Sequence, residues 1–256
     1  MKLKDTIFYK NENDEVLDFK INSKPIDKNY QYIHKNLLYR FISFLTYRII
    51  AMPFVWVHFK LFKRIKFKNR KVLKTVKGSY FVYANHTNQY SDSISPTFIC
   101  FPHKPYVIVN RDNVYMPLWG KFARMWGALP LPDTIDATKN FKRTMDYYVS
   151  NNRPIIIYPE AHLWPYYTKI RDFSEKSFRY PVEYNKPIFT FTTTYHKRKY
   201  SKKPRIEIYI DGPYFVEEHL DKQQKKQQLR DVVYQQMKKR TELNTYEFVK
   251  YVNMED

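Results

Sequence analysis

A histidine and an aspartate six positions apart, His86 and Asp92, lie in the stretch FVYANHTNQYSDSISP over residues 81–96. A carboxylate that accepts a hydrogen bond from one imidazole nitrogen fixes the tautomer. It leaves the other nitrogen free to take a proton from a hydroxyl. On an ideal helix, residues six apart point about 240° away from each other, so contact between this pair requires a loop. Asn85, Asn88 and Ser91 supply the side chains from which such turns are built. The same residues also suit a polar turn between two buried elements, with no chemistry.

Further groups lie downstream. Glu160 and His162 fall in IIIYPEAH, Arg111 in VNRDN, and Lys169, Arg171 and Arg179 in YYTKIRDFSEKSFRYP. A guanidinium can hold a phosphate or carboxylate through two parallel hydrogen bonds. Each also has a plainer reading. Glu160 can cap the turn after a strand, Arg111 can be a solvated surface charge, and His162 can be a pocket wall, a donor or a satisfied core imidazole.

Nucleophiles are poor. Cys100 lies in the apolar run TFICFPH, where a buried thiol is expected, and Ser91 and Ser93 lie outside any Gly-x-Ser-x-Gly elbow. The four glycines are too dispersed for a P-loop or a dinucleotide fingerprint, so no nucleotide cofactor is expected. One cysteine allows no intrachain disulfide and no zinc site built on thiolates. The candidate His and acidic residues come from separate loops, so no metal is expected.

These groups need elements to position them. Strands are expected at 79–84, 105–109, 153–158, 186–195 and 204–211. Between the second and third, Ala137, Phe141, Met145, Tyr148 and Val149 fall on one helical stripe behind a cap at Asp133 or Thr134. A long polar helix is expected near the C-terminus. Strands alternating with helices give an α/β fold, a mixed and mostly parallel sheet flanked by helices. At its N-terminal side a membrane-interface helical segment is expected.

That segment rests on two features. Residues 41–59, FISFLTYRIIAMPFVWVHF, are the most apolar stretch, but Arg48 divides it and Pro53 is expected to kink a helix. One or two helices lying in the interface, or packed on the core, suit it better than a full span. Residues 60–77 follow with nine Lys or Arg, no acid and interleaved apolar residues, as in a basic amphipathic segment on a bilayer.

Overall, 45 Lys and Arg against 25 Asp and Glu give a net charge of +20, which calls for a polyanionic partner. Anionic lipid is favoured over nucleic acid, because no nucleic-acid-binding signature accompanies the charge. The N-terminal residues lack the apolar core of a secretory signal. Residues 1–35 read as a peripheral arm or hairpin turning near Asn13 and Asp14, 36–77 as the membrane-interface helical and basic segment, 78–215 as the core, and 216–256 as a C-terminal helical extension.

NHTNQYSD resembles the first signature block of the glycerolipid acyltransferases of the lysophosphatidic acid acyltransferase (PlsC-type) family, and the resemblance runs in order from about residue 45 to 215. VNRDNVYMPLWGKFARMWGALPLP is similar to the second block, IIIYPEAH to the third, and KPIFTFTTTYHKRK lies where the fourth belongs. The departures are specific. The spacer between His86 and Asp92 is five residues where the family has four, the third block continues Ala161, His162, Leu163 where the family has Gly, Thr, Arg, and ALPLPD lacks the second block's Arg. The longer spacer and YPEAH are similar to a divergent bacterial branch.

The resemblance implies an O-acyltransferase that moves a fatty acyl chain from acyl-CoA or acyl-carrier protein to the hydroxyl of a lysophospholipid or related glycolipid. No acyl-enzyme and no cofactor would be involved. It implies His86 as general base oriented by Asp92, with Asn85, Arg111, Glu160, His162 and Arg171 contacting substrate. Arg171 would replace the third block's missing Arg. The expected location is the cytoplasmic face of the membrane, peripheral or monotopic. Two other readings stand beside it: a non-catalytic lipid binder on the same fold, and a basic nucleic-acid-binding protein.

Overall fold

The computed structural model describes residues 5–17, 21–88 and 91–254; residues 1–4, 18–20 and 89–90, which hold parts of the expected arm and of the His-to-Asp spacer, lie outside the described residues, as do 255–256. Its strands are β1 Thr6–Tyr9, β2 Lys66–Lys68, β3 Phe81–Ala84, β4 Tyr106–Val109, β5 Ala128–Pro130, β6 Ile155–Ile157, β7 Ile188–Arg198, β8 Ser201–Tyr214 and β9 Lys250–Asn253. A seven-stranded sheet runs in the order β2-β8-β7-β3-β6-β4-β5. All its neighbours are parallel except β7 and β8, which form an antiparallel hairpin.

Central strands covered on both faces have to be apolar throughout, and β3 and β6 are buried along their whole length. Alternate residues then divide between two cores. Phe81, Tyr83, Ile155 and Ile157 pack with Phe141 and Met145 of helix Ile135–Ser150 and with Leu229, Val233 and Met237 of helix Lys222–Thr241. Val82, Ala84 and Ile156 pack on the other side with Phe189, Phe191, Val55 and Phe59. Helix Ile135–Ser150 is capped by Thr134, whose hydroxyl accepts from the Ala137 N–H. Its buried stripe contains all five expected residues.

Three expectations need correction. The apolar stretch does not break at Pro53: helix Leu37–Leu61 is continuous, and is long and apolar enough by length and composition to cross a membrane. Looser π-type winding over Leu45–Ala51 precedes Pro53, and the change of winding there accommodates the proline's missing N–H inside the continuous helix. The buried residues of the helix, Tyr47, Ala51, Val55 and Phe59, recur every four positions. An α-helix of 3.6 residues per turn would rotate such a row off the contact line, and the looser turns hold it there.

The basic stretch is likewise not one amphipathic segment. It finishes the helix, adds edge strand β2 beside β8 and forms a 3₁₀ turn at Arg70–Thr75, with Ile65 and Leu73 buried. Lysines on an edge strand discourage pairing with another chain.

Of the two forms expected for the N-terminal arm, the hairpin has no local strand pairing among the described residues. A turn does form at Asn11–Asp14, where the Asp14 carboxylate accepts from the Lys10 and Asn11 N–H groups. However, β1 pairs in parallel with β9, which joins the two ends of the chain. Parallel pairing requires a long connection and so cannot belong to a local hairpin.

Candidate active site

β3, β4 and β6 run parallel and end at one edge of the sheet, where α/β folds bind their ligands. The chain leaves β3 through Asn85. Its amide accepts from the Thr193 N–H at 2.8 Å and donates to the Thr193 carbonyl at 3.1 Å. Both ends of the amide are thus bonded to β7. Asn85 holds the exit of β3 and is only 1% exposed, contrary to the expectation that it contacts substrate.

His86 comes next, with Nδ1 3.0 Å from Asp92 Oδ2. The same oxygen accepts from the Asn88 N–H at 2.8 Å. The Asn88 carbonyl accepts from the Asp92 N–H, and its side-chain oxygen accepts from the Ser91 N–H at 3.1 Å. These bonds close the loop that the longer spacer requires and lead the chain into helix Ser95–Ile99. Burial pushes the Asp92 carboxyl above its ordinary value, and the bond from His86 opposes the rise.

With Asp92 ionised, Nδ1 carries the proton and Nε2 presents a lone pair. The imidazole side chain is 25% exposed against 4% for Asp92, so solvent meets the ring and not the carboxylate. Tyr158, at the end of β6, packs its ring 4.5 Å from the imidazole and donates its hydroxyl to the Asp92 carbonyl at 2.5 Å. Burial raises that hydroxyl well above its ordinary value and keeps it a donor.

Behind the histidine lies a second carboxylate. Glu160 Oε2 accepts from the His86 N–H at 2.8 Å and Oε1 accepts from the Arg171 N–H at 2.9 Å. The Arg171 guanidinium lies 3.5 Å from Oε2, donates to the Glu12 carbonyl at 3.0 Å, bonds the His162 carbonyl, and sits 4.7 Å above the Trp164 ring. Burial pushes the Glu160 carboxyl up, and the Arg171 charge opposes it. Both side chains are almost completely covered. Glu160 and Arg171 therefore position the histidine's backbone, and the expectation that they touch substrate fails on burial. His162 is half-buried and enters this network through its main chain.

Sequence reasoning missed Trp164. Its N–H donates to the His86 carbonyl at 3.0 Å, and its indole donates to the Asp14 carbonyl at 2.8 Å. Its ring stacks on Tyr251 of β9 and lies 4.8 Å from Tyr9 of β1. The paired ends of the chain thus hold the loop that holds His86. The only signal was the aromatic run LWPYY, which carries no indication of its partners.

Arg111 follows β4, two strands from β3 and so about 10 Å across the same edge. Its guanidinium bonds Asp133 at 3.0 Å and stays 40% exposed. Cys100 is buried beside Tyr80, and burial pushes its thiol up to about 12, which removes it as a nucleophile.

A model of the family described as Acyltransferase matches residues 64–194. Among solved structures, the chain is similar to the crystal structure of the 1-acyl-sn-glycerophosphate (LPA) acyltransferase, PlsC, from Thermotoga maritima. The TM-score is 0.51 at 13% identity, over 82% of this chain and 95% of that one, a likeness of fold. No curated protein sequence matches the chain. The family match spans just over half of the 256 residues and includes both His86 and Asp92, and the chain therefore belongs to the acyltransferase family.

Proposed function

We propose that the protein transfers a fatty acyl chain from the thioester of acyl-CoA or acyl-carrier protein to the hydroxyl of a lysophospholipid or related glycolipid, as in lysophosphatidic acid acylation. The observation that carries this reading is the 3.0 Å contact between Asp92 and Nδ1 of a partly exposed His86. Nε2 removes the proton of the acceptor hydroxyl as its oxygen attacks the thioester carbon. The C–S bond then breaks, and the proton passes to the departing thiolate. Asp92 stabilises the imidazolium formed in between. The protein forms no covalent intermediate and uses no cofactor beyond the thioester.

Arg111 is the exposed cation of the candidate set on this edge and is suited to the acceptor's phosphate, in exchange for its bond to Asp133. Helix Leu37–Leu61 lies along the body through one narrow buried row while Leu38, Phe41, Phe44, Ile50, Phe54 and Leu61 stay exposed, which favours a helix lying in the interface of the cytoplasmic leaflet, where thioester donors are found. The test is thiol release from an acyl thioester with lysophosphatidic acid as acceptor. His86→Ala is expected to remove about 10³-fold of the rate with the fold intact. An unchanged rate would overturn the reading.

A further inference from the structure

The β7–β8 hairpin extends well past its short neighbours, and its tip is strongly cationic. Residues 197–203 read KRKYSKK, five cations in seven positions with no acid. The tip reaches the end of helix Leu37–Leu61 and its last turn: the Arg198 guanidinium donates to the Lys63 carbonyl at 2.7 Å. Lys63 is lowered from its ordinary value by burial and then by Lys203 and Arg198, and Arg198 by burial and then by Arg64 and Arg205. Two separate parts of the sequence thus place like charges against each other.

Among the described residues, Arg64, Lys199, Lys202 and Lys203 have no acidic partner within ion-pair distance. A fold that gathers unpaired cations opposes its own stability unless a polyanion binds them. Exposed apolar residues lie close to the cluster: Leu61, two positions before Lys63 in the chain, and Tyr200, 88% exposed, at the tip itself. An acidic protein or a nucleic acid would neutralise the charge but leave those apolar side chains in water. A bilayer surface accepts both, with tyrosine at the headgroup level.

We propose that the hairpin tip, Arg198–Lys203, together with Arg64, is a binding surface for the phosphates of anionic phospholipids, a second anchor beside the apolar helix. It rests on the membrane-docking reading of that helix. The helix supplies adhesion to any bilayer. The tip, drawn from the opposite end of the sheet's sequence, adds the preference for negative charge and fixes how the body is rotated about the helix axis.

The test compares the full chain with a Lys199→Ser, Lys202→Ser, Lys203→Ser triple variant. Binding is read by flotation with phosphatidylcholine vesicles, with and without phosphatidylglycerol, and folding by thermal midpoint. Phosphatidylglycerol is expected to tighten binding of the parent, and the triple variant to lose about a hundredfold of that gain, since each cation contributes roughly a fivefold factor. Its binding to phosphatidylcholine and its turnover of a soluble short-chain acceptor should stay unchanged. An equal response of both proteins to phosphatidylglycerol would overturn the hairpin anchor alone. Loss of binding to acyl-carrier protein or to single-stranded DNA, with the lipid response intact, would also overturn it and reassign the tip. A parent that floats with neither vesicle would overturn the helix reading, and the hairpin proposal with it.

Discussion

Two carboxylates flank one histidine, and they are used differently. Asp92 meets the imidazole ring of His86, and its bonds to Nδ1 and to the Asn88 N–H both fall on Oδ2. Glu160 meets the same residue's main chain and uses both oxygens, Oε2 for the His86 N–H and Oε1 for the Arg171 N–H. One acts on the group proposed to react with substrate, and the other on the backbone that carries it. Burial raises both, but only Glu160 has a buried guanidinium against it. A neutral isostere should therefore separate chemistry from architecture.

The largest effect is expected when the shared histidine is cut back. In His86→Ala, thiol release should fall about 10³-fold while the thermal midpoint stays near that of the parent, because the Glu160 bond goes to the backbone. Asp92→Asn should follow, with kcat down about 10²-fold. Its effect on stability has a definite sign. Between the ordinary value of 3.8 and the raised native value, the folded protein holds a proton that the unfolded chain has lost, so stability falls as pH rises through that window and ionised Asp92 costs the fold stability at neutral pH. Because one side-chain oxygen serves both bonds, the amide can keep them. The variant's midpoint at neutral pH should equal or exceed the parent's, and a clear fall would contradict this.

Glu160→Gln should reverse the pattern. An amide has one acceptor oxygen where two N–H donors point, so one donor is left unpaired in the interior. Denaturant titration should show a loss of about 1–3 kcal/mol. Kinetics should show a smaller fall in kcat than Asp92→Asn. The mildest change is Arg111→Ala, at an exposed site away from both carboxylates. The expected result is a rise of about tenfold in KM for a phosphorylated acceptor, with kcat and the thioester KM retained.

The sequence revealed this division unevenly. Five expected strands correspond to β3, β4, β6, β7 and β8 because β-branched and aromatic runs are dictated by burial. β2 and β5 are absent from the strands expected by residue pattern: each has three residues, one flanked by lysines and the other ending in Pro130, and edge strands need little apolar content. The pairing of β1 with β9 spans the whole chain, and no local pattern records it. Helix Lys222–Thr241 reads as polar, but its three buried residues at every fourth position, Leu229, Val233 and Met237, tie it to the core. At the site, the dyad was legible because histidine, carboxylate and turn residues lie within one loop. The ion pair was not, because which of Lys169, Arg171 and Arg179 faces Glu160 depends on how the chain folds back. An arginine expected to grip substrate is instead the buried counter-charge.

In the proposed reaction Asp92 holds the proton of His86 on Nδ1 and leaves Nε2 bare for the acceptor hydroxyl. Nitrogen-15 chemical shifts of the His86 imidazole, read at neutral pH in the parent and in Asp92→Asn, measure this directly. The expected result is a protonated Nδ1 and an unprotonated Nε2 in the parent, with the two tautomers mixed in the variant. A parent with its proton on Nε2 would contradict it.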